Sequence, residues 1–285
     1  MPRKIRNKPP VRQEKLLAVT GYRGRLGSAL VSMGYLPIDV DITNPKQVSE
    51  IVGDINPDVL VNCAGITDVD GCELDLFRKA IQVNGIGLAI LRDNFDGRLI
   101  HISTDFIFDG KSGPYSENSP PNPLGQYGDS KLLGEELIRE YDYDGDTIIR
   151  TTVLYGGNKA DFVRKVLNKL ERGKVVTLPM NMYGTPTYIP HLALGIHHVS
   201  KMKSPPQIVN IVGRDCISRY EFGLMIANIF GYDAKLVHPT RKMEGQARRP
   251  KRGGLKIKLA EKLGIPIYSV LDGLHDFHRR MNGQS

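Results

Sequence analysis

Residues 16–27 read Leu-Leu-Ala-Val-Thr-Gly-Tyr-Arg-Gly-Arg-Leu-Gly and are the most informative part of the sequence for the fold class. An apolar run over residues 16–20 stops at Gly21, and helical periodicity follows from Leu26 to about Met33. Three glycines at three-residue spacing therefore separate a predicted strand from a predicted helix. Glycine in this position lets the backbone approach a pyrophosphate, which then lies at the positive N-terminus of the helix. The stretch predicts a dinucleotide-binding loop, although glycine spacing alone also occurs in ordinary turns.

Short apolar strands and amphipathic helices alternate after this loop. The predicted strands cover residues 35–40, 58–62, 98–102 and 147–150, and the predicted helices cover about 45–52, 76–95 and 126–141. Thr43 or Asn44 can cap the first of these helices, with Pro45 at its first position. This order predicts a doubly wound, Rossmann-like α/β fold, in which a parallel sheet is covered on both faces and binds ligands beyond the carboxyl ends of its strands.

After about residue 155 the alternation loosens, which indicates a smaller mixed α/β lobe for the substrate at the C-terminal side. A helix over 161–172 is followed by a loop rich in proline and glycine, a helix from His191, and a helix over 218–230 that a Ser218/Glu221 capping box begins. We therefore predict a basic flexible leader (1–15), a dinucleotide-binding domain (16–155) and a substrate-binding lobe (156–285) with segments that return to the first domain.

The composition excludes several classes of protein. With 285 residues, 40% of them hydrophobic and 25% charged, the chain matches an ordinary globular protein. It has no apolar run near the ~18–20 residues that span a bilayer and no signal-peptide segment, so a cytoplasmic protein without a membrane partner is expected. Three cysteines without a C-x-x-C pair, and histidines without metal-ligand spacing, predict a reducing compartment and no metal site.

The net charge of +8 is concentrated near the two ends of the chain, in residues 1–15 and 241–258. Basic clusters attract phosphates, either of a nucleic acid or of a small nucleotide. The leader is interpreted as a solvated tail, whereas Pro250 and the flanking glycines give the second cluster a defined loop. No recognition motif accompanies the charge, so a nucleic-acid partner is not expected.

Tyr127 and Lys131 stand four residues apart at the start of a predicted helix, so they share one face of it. A tyrosine has a pKa near ~10, and to act as an acid–base group near neutrality its pKa must fall by roughly three, which takes about 4 kcal/mol of preferential stabilisation of the phenolate. A nearby ammonium can supply part of this. Such a pair also occurs by chance, but here it accompanies the glycine-rich loop and two short motifs that follow strands, Asn-Cys-Ala-Gly over 62–65 and Ser-Thr-Asp over 103–105.

Together these four motifs resemble the extended short-chain dehydrogenase/reductase family. The run Ser-Thr-Asp-Phe-Ile-Phe-Asp-Gly over 103–110, and Pro-Asn-Pro-Leu-Gly-Gln-Tyr-Gly-Asp-Ser-Lys-Leu-Leu-Gly-Glu over 121–135, are similar to the dTDP-4-dehydrorhamnose reductase branch. The resemblance covers about residues 16–265. It implies an NAD- or NADP-dependent oxidoreductase that transfers a hydride to the C4 carbonyl of a nucleotide-diphosphate sugar, a 4-keto-6-deoxyhexose.

The resemblance also implies roles for single residues. Thr104 would hydrogen-bond the substrate carbonyl, Tyr127 would protonate it, and Lys131 would hold the nicotinamide ribose and lower the pKa of Tyr127. The implied cofactor-binding residues, besides Tyr127 and Lys131, are Gly21, Arg23, Gly24, Arg25, Leu26, Asp41, Ile42, Cys63, Ala64, Gly65, Thr67 and Ser103. The implied substrate-binding residues are Thr67, Asp105, Phe106, Phe108, Val153 and Arg249.

The chain departs from the family pattern at several of these positions. Phe106 stands where the family often has tyrosine, and Val153 follows Arg-Thr-Thr where its reductases commonly have tryptophan, a residue that this chain lacks. The short connection from the second strand to Asp41 leaves NAD and NADP both open. Asp39 would favour NAD if it faces the ribose, while Arg23 and Arg25 could accommodate a 2′-phosphate.

Other functions remain as alternatives at this point. A nucleotide-sugar epimerase or dehydratase belongs to the same wider family, although a dehydratase adds a carboxylate pair that Asp105-Phe106 lacks. A non-catalytic partner, like the regulatory subunit of methionine adenosyltransferase, resembles the same branch. The intact set of Thr104, Tyr127 and Lys131 favours a reductase. A homodimer is left open.

Overall fold

A six-stranded parallel sheet forms the centre of the computed structural model, which describes residues 15–157, 159–242 and 245–283. All but the last residue of the predicted basic leader therefore lie outside the described residues. The strands are β1 Leu17–Thr20, β2 Leu36–Ile38, β3 Val59–Asn62, β4 Arg98–Thr104, β5 Thr147–Thr151, β6 Leu154–Tyr155, β7 Val176–Pro179, β8 Tyr183–Gly184, β9 Thr187–Tyr188, β10 Ile208–Asn210, β11 Ile217–Ser218 and β12 Val237–Thr240.

The strand order of the sheet is β10-β5-β4-β3-β1-β2, with every neighbouring pair parallel. Because β1 lies between β2 and β3, the direction of winding reverses at β1, and the glycine-rich loop leaves the sheet at this point. Ligands bind at such a switch point in open α/β sheets. The predicted α/β fold of the Rossmann type is confirmed.

Helices connect the strands. They are α1 Arg25–Ser32; α2, formed by Pro45–Gln47, Val48–Val52 and Gly53–Ile55; α3 Val69–Cys72; α4, formed by Phe77–Ala80, Ile81–Ile86 and Gly87–Asn94; α5 Gln126–Tyr141; α6 Phe162–Leu170; α7 Ile189–Lys201; α8 Arg219–Ile229; α9 Lys258–Lys262; and α10 Val270–Met281. The middle segments of α2 and α4 are π-helical, and single 3-10 turns cover Asp105–Ile107 and Ala234–Leu236.

Apolar residues alternate between the two faces of the sheet, which explains why the strands are apolar throughout. Val19 and Val61 pack in one cluster with residues of α1 and α7, whereas Ala18 and Leu60 pack in another with residues of α2 and α4. Every residue of β1 and β3 is buried. A strand covered on both faces needs such a continuous apolar sequence.

The two predicted helix starts are confirmed in atomic detail. Asn44 Oδ1 accepts hydrogen bonds from the backbone N–H groups of Lys46 and Gln47, with Pro45 in the first turn. Ser218 and Glu221 form the capping box of α8. In contrast, α7 begins at Ile189, two residues before the predicted start, because Pro190 fits the first turn of a helix, where no N–H is needed.

The C-terminal part of the chain contributes to two cores. Strand β10 pairs with β5 in the central sheet, and α7 covers one face of that sheet. The helices α6, α8 and α10 enclose a separate apolar cluster around Phe222, together with the parallel pair β7 and β12. No helix among the described residues is long and apolar enough to cross a membrane.

Candidate active site

A cavity of about 560 Å³ lies over the carboxyl ends of β1, β3, β4 and β5. It contains most of the residues that the sequence predicted for the site. These are Gly24, Arg25, Leu26, Cys63, Ala64, Gly65, Thr67, Ser103, Thr104, Asp105, Phe106, Tyr127, Lys131, Val153 and Arg249. The fold thus collects motifs from four strand ends and from the C-terminal loops into one place.

The glycine-rich loop has the close approach of backbones that its sequence predicts. Gly21 has a φ of +64°, and a Cβ there would lie 2.5 Å from the backbone nitrogen of Ala64. A Cβ at Gly27 would lie 2.4 Å from the Gly21 carbonyl oxygen. No side chain caps the start of α1, so its first N–H groups stay available for an anion. The loop fits the pyrophosphate of a dinucleotide.

Lys131 is buried, and two groups contact its side-chain nitrogen. Nζ lies 2.7 Å from the carbonyl oxygen of Ile102, to which it donates, and 3.0 Å from Nε2 of His101. Burial lowers the pKa of Lys131 to about 8, while the charges of Glu135 and Cys63 oppose this shift. Because this pKa is close to neutral pH, a small change in free energy is enough to protonate or deprotonate Lys131.

Tyr127 is one helical turn before Lys131, and its ring packs edge-on against Phe106, with ring centroids 5.5 Å apart. Burial raises the pKa of Tyr127 to about 12, and the neighbouring Thr104 hydroxyl opposes the rise as a hydrogen-bond partner. The phenol consequently keeps its proton at neutral pH. The expected fall of this pKa toward neutrality is therefore not seen in the protein without ligands, and proton transfer from Tyr127 requires that the phenolate be stabilised when cofactor and substrate are bound.

The side of the cavity toward the C-terminal lobe holds an acid and two arginines. Asp105 Oδ2 accepts from the backbone N–H of Gly254 at 3.0 Å, whereas Oδ1 is buried with no partner among the described residues. Arg249 donates to Asp70 at 2.5 Å. Arg219 packs over the ring of Phe162, and burial lowers its pKa to about 10, which the charge of Asp105 opposes.

Val153 reaches the cavity in a strained backbone conformation. Its φ is +49°, a region that β-branched residues rarely adopt, and it is followed by β6 at the cavity wall. Backbone strain of this kind concentrates at functional sites. Val153 thus forms part of the wall at the position where reductases of the family commonly have tryptophan.

Five predicted residues do not line the cavity: Gly21, Arg23, Asp41, Ile42 and Phe108. Phe108 is fully buried and stacks on Tyr115, with ring centroids 4.3 Å apart, because the 3-10 turn before it redirects the chain. Ile42 is buried in the cluster under α4. Ser103 lines the cavity, but its hydroxyl donates to Glu135 at 2.5 Å.

Arg23 forms a bidentate ion pair with Asp39, at 2.7 and 2.8 Å, just after β2. Both side chains are about two-thirds exposed. The hydrogen bonds from Arg23 lower the pKa of Asp39. Asp39, which would favour NAD, and Arg23, which could accommodate the 2′-phosphate of NADP, therefore contact each other directly.

Among the residues of this site that were not predicted from the sequence are His101, which contacts Lys131, and Arg219, which lines the cavity. His101 fits the apolar pattern of its strand, and Arg219 follows an ordinary helix cap, so neither carries a local signal. Among the described residues, no group of acidic, histidine and cysteine side chains could hold a metal ion.

Comparisons with known proteins give a consistent result. A family model described as RmlD substrate binding domain matches residues 15–282. The spore coat polysaccharide biosynthesis protein SpsK of Bacillus subtilis is 34% identical over 87% of this chain and 91% of its own length. A dTDP-4-dehydrorhamnose reductase of Mycobacterium tuberculosis is 31% identical over 80% of both chains. The crystal structure of dTDP-4-dehydrorhamnose reductase from Bacillus anthracis, in complex with NADP, has a TM-score of 0.87 at 26% identity and covers 94% of this chain and 100% of its own.

Proposed function

Because the chain belongs to the RmlD substrate binding domain family, we propose that it reduces the 4-keto group of a nucleotide-linked 6-deoxy sugar such as dTDP-4-dehydrorhamnose. The chain is an NAD(P)-dependent oxidoreductase. One observation carries the proposal: Thr104, Tyr127 and Lys131 line a single cavity together with the start of the glycine-rich loop.

The residues of the chain supply the proton chemistry of this reaction. The cofactor, when bound, supplies the hydride that the C4 carbon accepts. The Thr104 hydroxyl donates a hydrogen bond to the carbonyl oxygen, and Tyr127 gives that oxygen its proton. Since the pKa of the buried phenol is about 12, the phenolate left behind needs stabilisation; the Thr104 hydroxyl already lowers this pKa, and the Lys131 ammonium, one helical turn away, would add to it when the ligands are bound.

The cofactor would be held by the glycine-rich loop and the ends of β3 and β4. Gly24 and Leu26 would contact the pyrophosphate, Ala64 and Gly65 the ribose and phosphates, and Lys131 the nicotinamide ribose. The glycine cradle and the uncapped start of α1 support this assignment.

The substrate would occupy the side of the cavity toward the C-terminal lobe. Asp105 would bind a sugar hydroxyl through Oδ1, whose buried lone pairs lack a partner among the described residues. Arg219 and Arg249 would bind the diphosphate, because two guanidinium groups in one partly buried cavity match its charge and geometry.

Arg219→Met should raise the KM for the nucleotide sugar by roughly 10- to 100-fold, with a smaller change in kcat, because a charge-assisted hydrogen bond to a phosphate contributes about 1.5–3 kcal/mol. Initial rates at varied sugar concentration measure both constants. Arg248→Met is the matched control, since Arg248 is exposed and does not line the cavity. An unchanged KM in Arg219→Met would remove Arg219 from the substrate site.

The Arg23–Asp39 pair should set the preference between the two cofactors. Asp39→Ala frees the guanidinium for a 2′-phosphate and removes a carboxylate that repels it, so kcat/KM for NADPH relative to NADH should rise by roughly tenfold. Arg23→Ala should shift the ratio the other way. Steady-state rates with each cofactor test this, and a ratio that both variants leave unchanged would contradict it.

The reductase proposal is tested by mixing the protein with NADH or NADPH and a panel of dTDP- and UDP-linked 4-keto-6-deoxyhexoses. We expect loss of the absorbance of the reduced cofactor with at least one of these sugars. The same cofactors with sugars that already carry a hydroxyl at C4 serve as the control. No oxidation of either cofactor across the panel would contradict the proposal.

A further inference from the structure

A chain of buried polar groups runs behind Lys131, and the proposed reaction does not use it. From Lys131 Nζ it passes 3.0 Å to His101 Nε2, then from His101 Nδ1 3.3 Å to Asn62 Nδ2. Asn62 Oδ1 accepts from the backbone N–H of Ala64 at 3.2 Å and from the Thr20 hydroxyl at 2.5 Å. The side chains of Asn62 and His101 are fully buried.

The proton positions along this series of polar groups follow from one donor that cannot change its role, the backbone N–H of Ala64. The backbone N–H of Ala64 can only donate, so Asn62 must present Oδ1 to it and Nδ2 to His101. Nδ2 is also only a donor, so His101 Nδ1 accepts and the neutral imidazole carries its proton on Nε2. Nε2–H then points at Lys131 Nζ, which accepts a hydrogen bond only as a neutral amine. With this orientation of the Asn62 amide, the heavy-atom contacts are those of an uncharged Lys131.

The electrostatic surroundings allow this state. Burial lowers the pKa of His101 well below its usual value, so the imidazole stays neutral. Burial also lowers the pKa of Lys131 to about 8, against the charges of Glu135 on the same helix and Cys63 after β3. Tyr127 keeps its phenol proton in the same range. Lys131 is thus the group of this cluster that changes charge near that pH.

When Lys131 is an ammonium, this series of hydrogen-bonded side chains needs a second arrangement of its protons. Nζ then donates to His101 Nε2, and the imidazole proton lies on Nδ1. Nδ1–H requires an oxygen, so the Asn62 amide turns, presents Oδ1 to His101 and donates from Nδ2 to the Thr20 hydroxyl. The N–H of Ala64, a residue of the cavity wall, loses its acceptor.

We propose that His101 and Asn62 couple occupancy of the cavity to the charge of Lys131. The negative charge of a dinucleotide bound in the cavity favours the ammonium, which shifts the imidazole proton from Nε2 to Nδ1 and turns the Asn62 amide away from Ala64. The imidazole carries one proton in both states, and Lys131 takes one proton from solvent. His101 is a positioning residue, and at a pH above the pKa of Lys131 this side chain becomes charged when the ligand is in place. The coupling rests on the proposed function for the identity of the ligand.

The tautomer of His101 can be read directly by ¹⁵N NMR of histidine-labelled protein at about pH 9, where free Lys131 is neutral. We expect Nε2–H in the free protein and Nδ1–H after addition of NADPH, and His101→Phe identifies the signal. The free protein alone should show the same switch as the pH falls through the pKa of Lys131, with the ring still neutral. An imidazole that keeps one tautomer in both experiments would overturn the coupling.

Calorimetry of NADPH binding in two buffers of different ionisation enthalpy measures the proton uptake. At about pH 9 the protein should take up close to one proton, because binding raises the pKa of Lys131, and His101→Phe should take up less than half as much. His238→Phe, which changes an exposed histidine, should match the unmodified protein. Equal uptake in His101→Phe overturns the coupling, whereas absence of NADPH binding overturns the proposed function together with it.

Discussion

Tyr127→Phe lowers kcat by roughly a thousandfold, because general acid catalysis by a positioned side chain contributes about 10²–10⁴ and the variant has no proton to donate. The affinity for the cofactor stays nearly unchanged, since the phenyl ring still packs edge-on against Phe106. Single-turnover kinetics with saturating NADPH measure the chemical step, and fluorescence titration measures cofactor binding.

The matched control for this variant is Tyr183→Phe. Tyr183 is 40% exposed and does not line the cavity, so the loss of its hydroxyl should leave kcat within about twofold. A Tyr127→Phe enzyme that keeps most of its rate would show that another group, or water, protonates the product oxygen. A variant that loses cofactor affinity as well would indicate that the hydroxyl holds the site together rather than donating the proton.

Asp146→Ala lowers the free energy of unfolding by about 3–5 kcal/mol, because breaking a buried ion pair leaves a charge without its partner. Asp146 accepts two hydrogen bonds from Arg92, at 2.7 and 2.9 Å, and a third from the backbone N–H of Leu99 at 2.7 Å. The Arg92 side chain is fully buried. The pair joins α4 to the turn before β5, beside the start of β4, so it holds together the sheet under the site.

Urea denaturation followed by circular dichroism measures this loss. Asp144→Ala, an exposed carboxylate two residues earlier, is the control and should change stability by less than about 0.5 kcal/mol. A loss below about 1 kcal/mol in Asp146→Ala would mean that the solvent reaches Arg92 and replaces the carboxylate.

The elements of the fold were predictable because their signals are local. The helix over 126–141 has the bounds that its periodicity predicted, and the caps Asn44 and Ser218 lie where the sequence places them. Even the location of the site follows from local patterns, since the carboxyl ends of parallel strands must meet at one edge.

The parts that were not predictable depend on contacts between distant residues. In the sequence, His101 is only one more residue of a predicted strand. Its proposed role depends on contacts of its ring nitrogens with Lys131 and Asn62, which lie 30 and 39 residues away in the sequence. The family resemblance implied that Phe108 binds the substrate. The 3-10 turn over Asp105–Ile107 directs its ring toward Tyr115 instead. Side-chain direction after an irregular turn has no periodicity from which to predict it.

The most direct test of the central claim follows the hydride itself. The protein is incubated with NADPH that carries deuterium at the transferable position and with dTDP-4-dehydrorhamnose, and the product sugar is analysed by NMR and mass spectrometry. We expect one deuterium, located on C4, in a sugar that now bears a C4 hydroxyl. A product without deuterium at C4, or a sugar recovered unchanged while Tyr127 and Lys131 are intact, would contradict it.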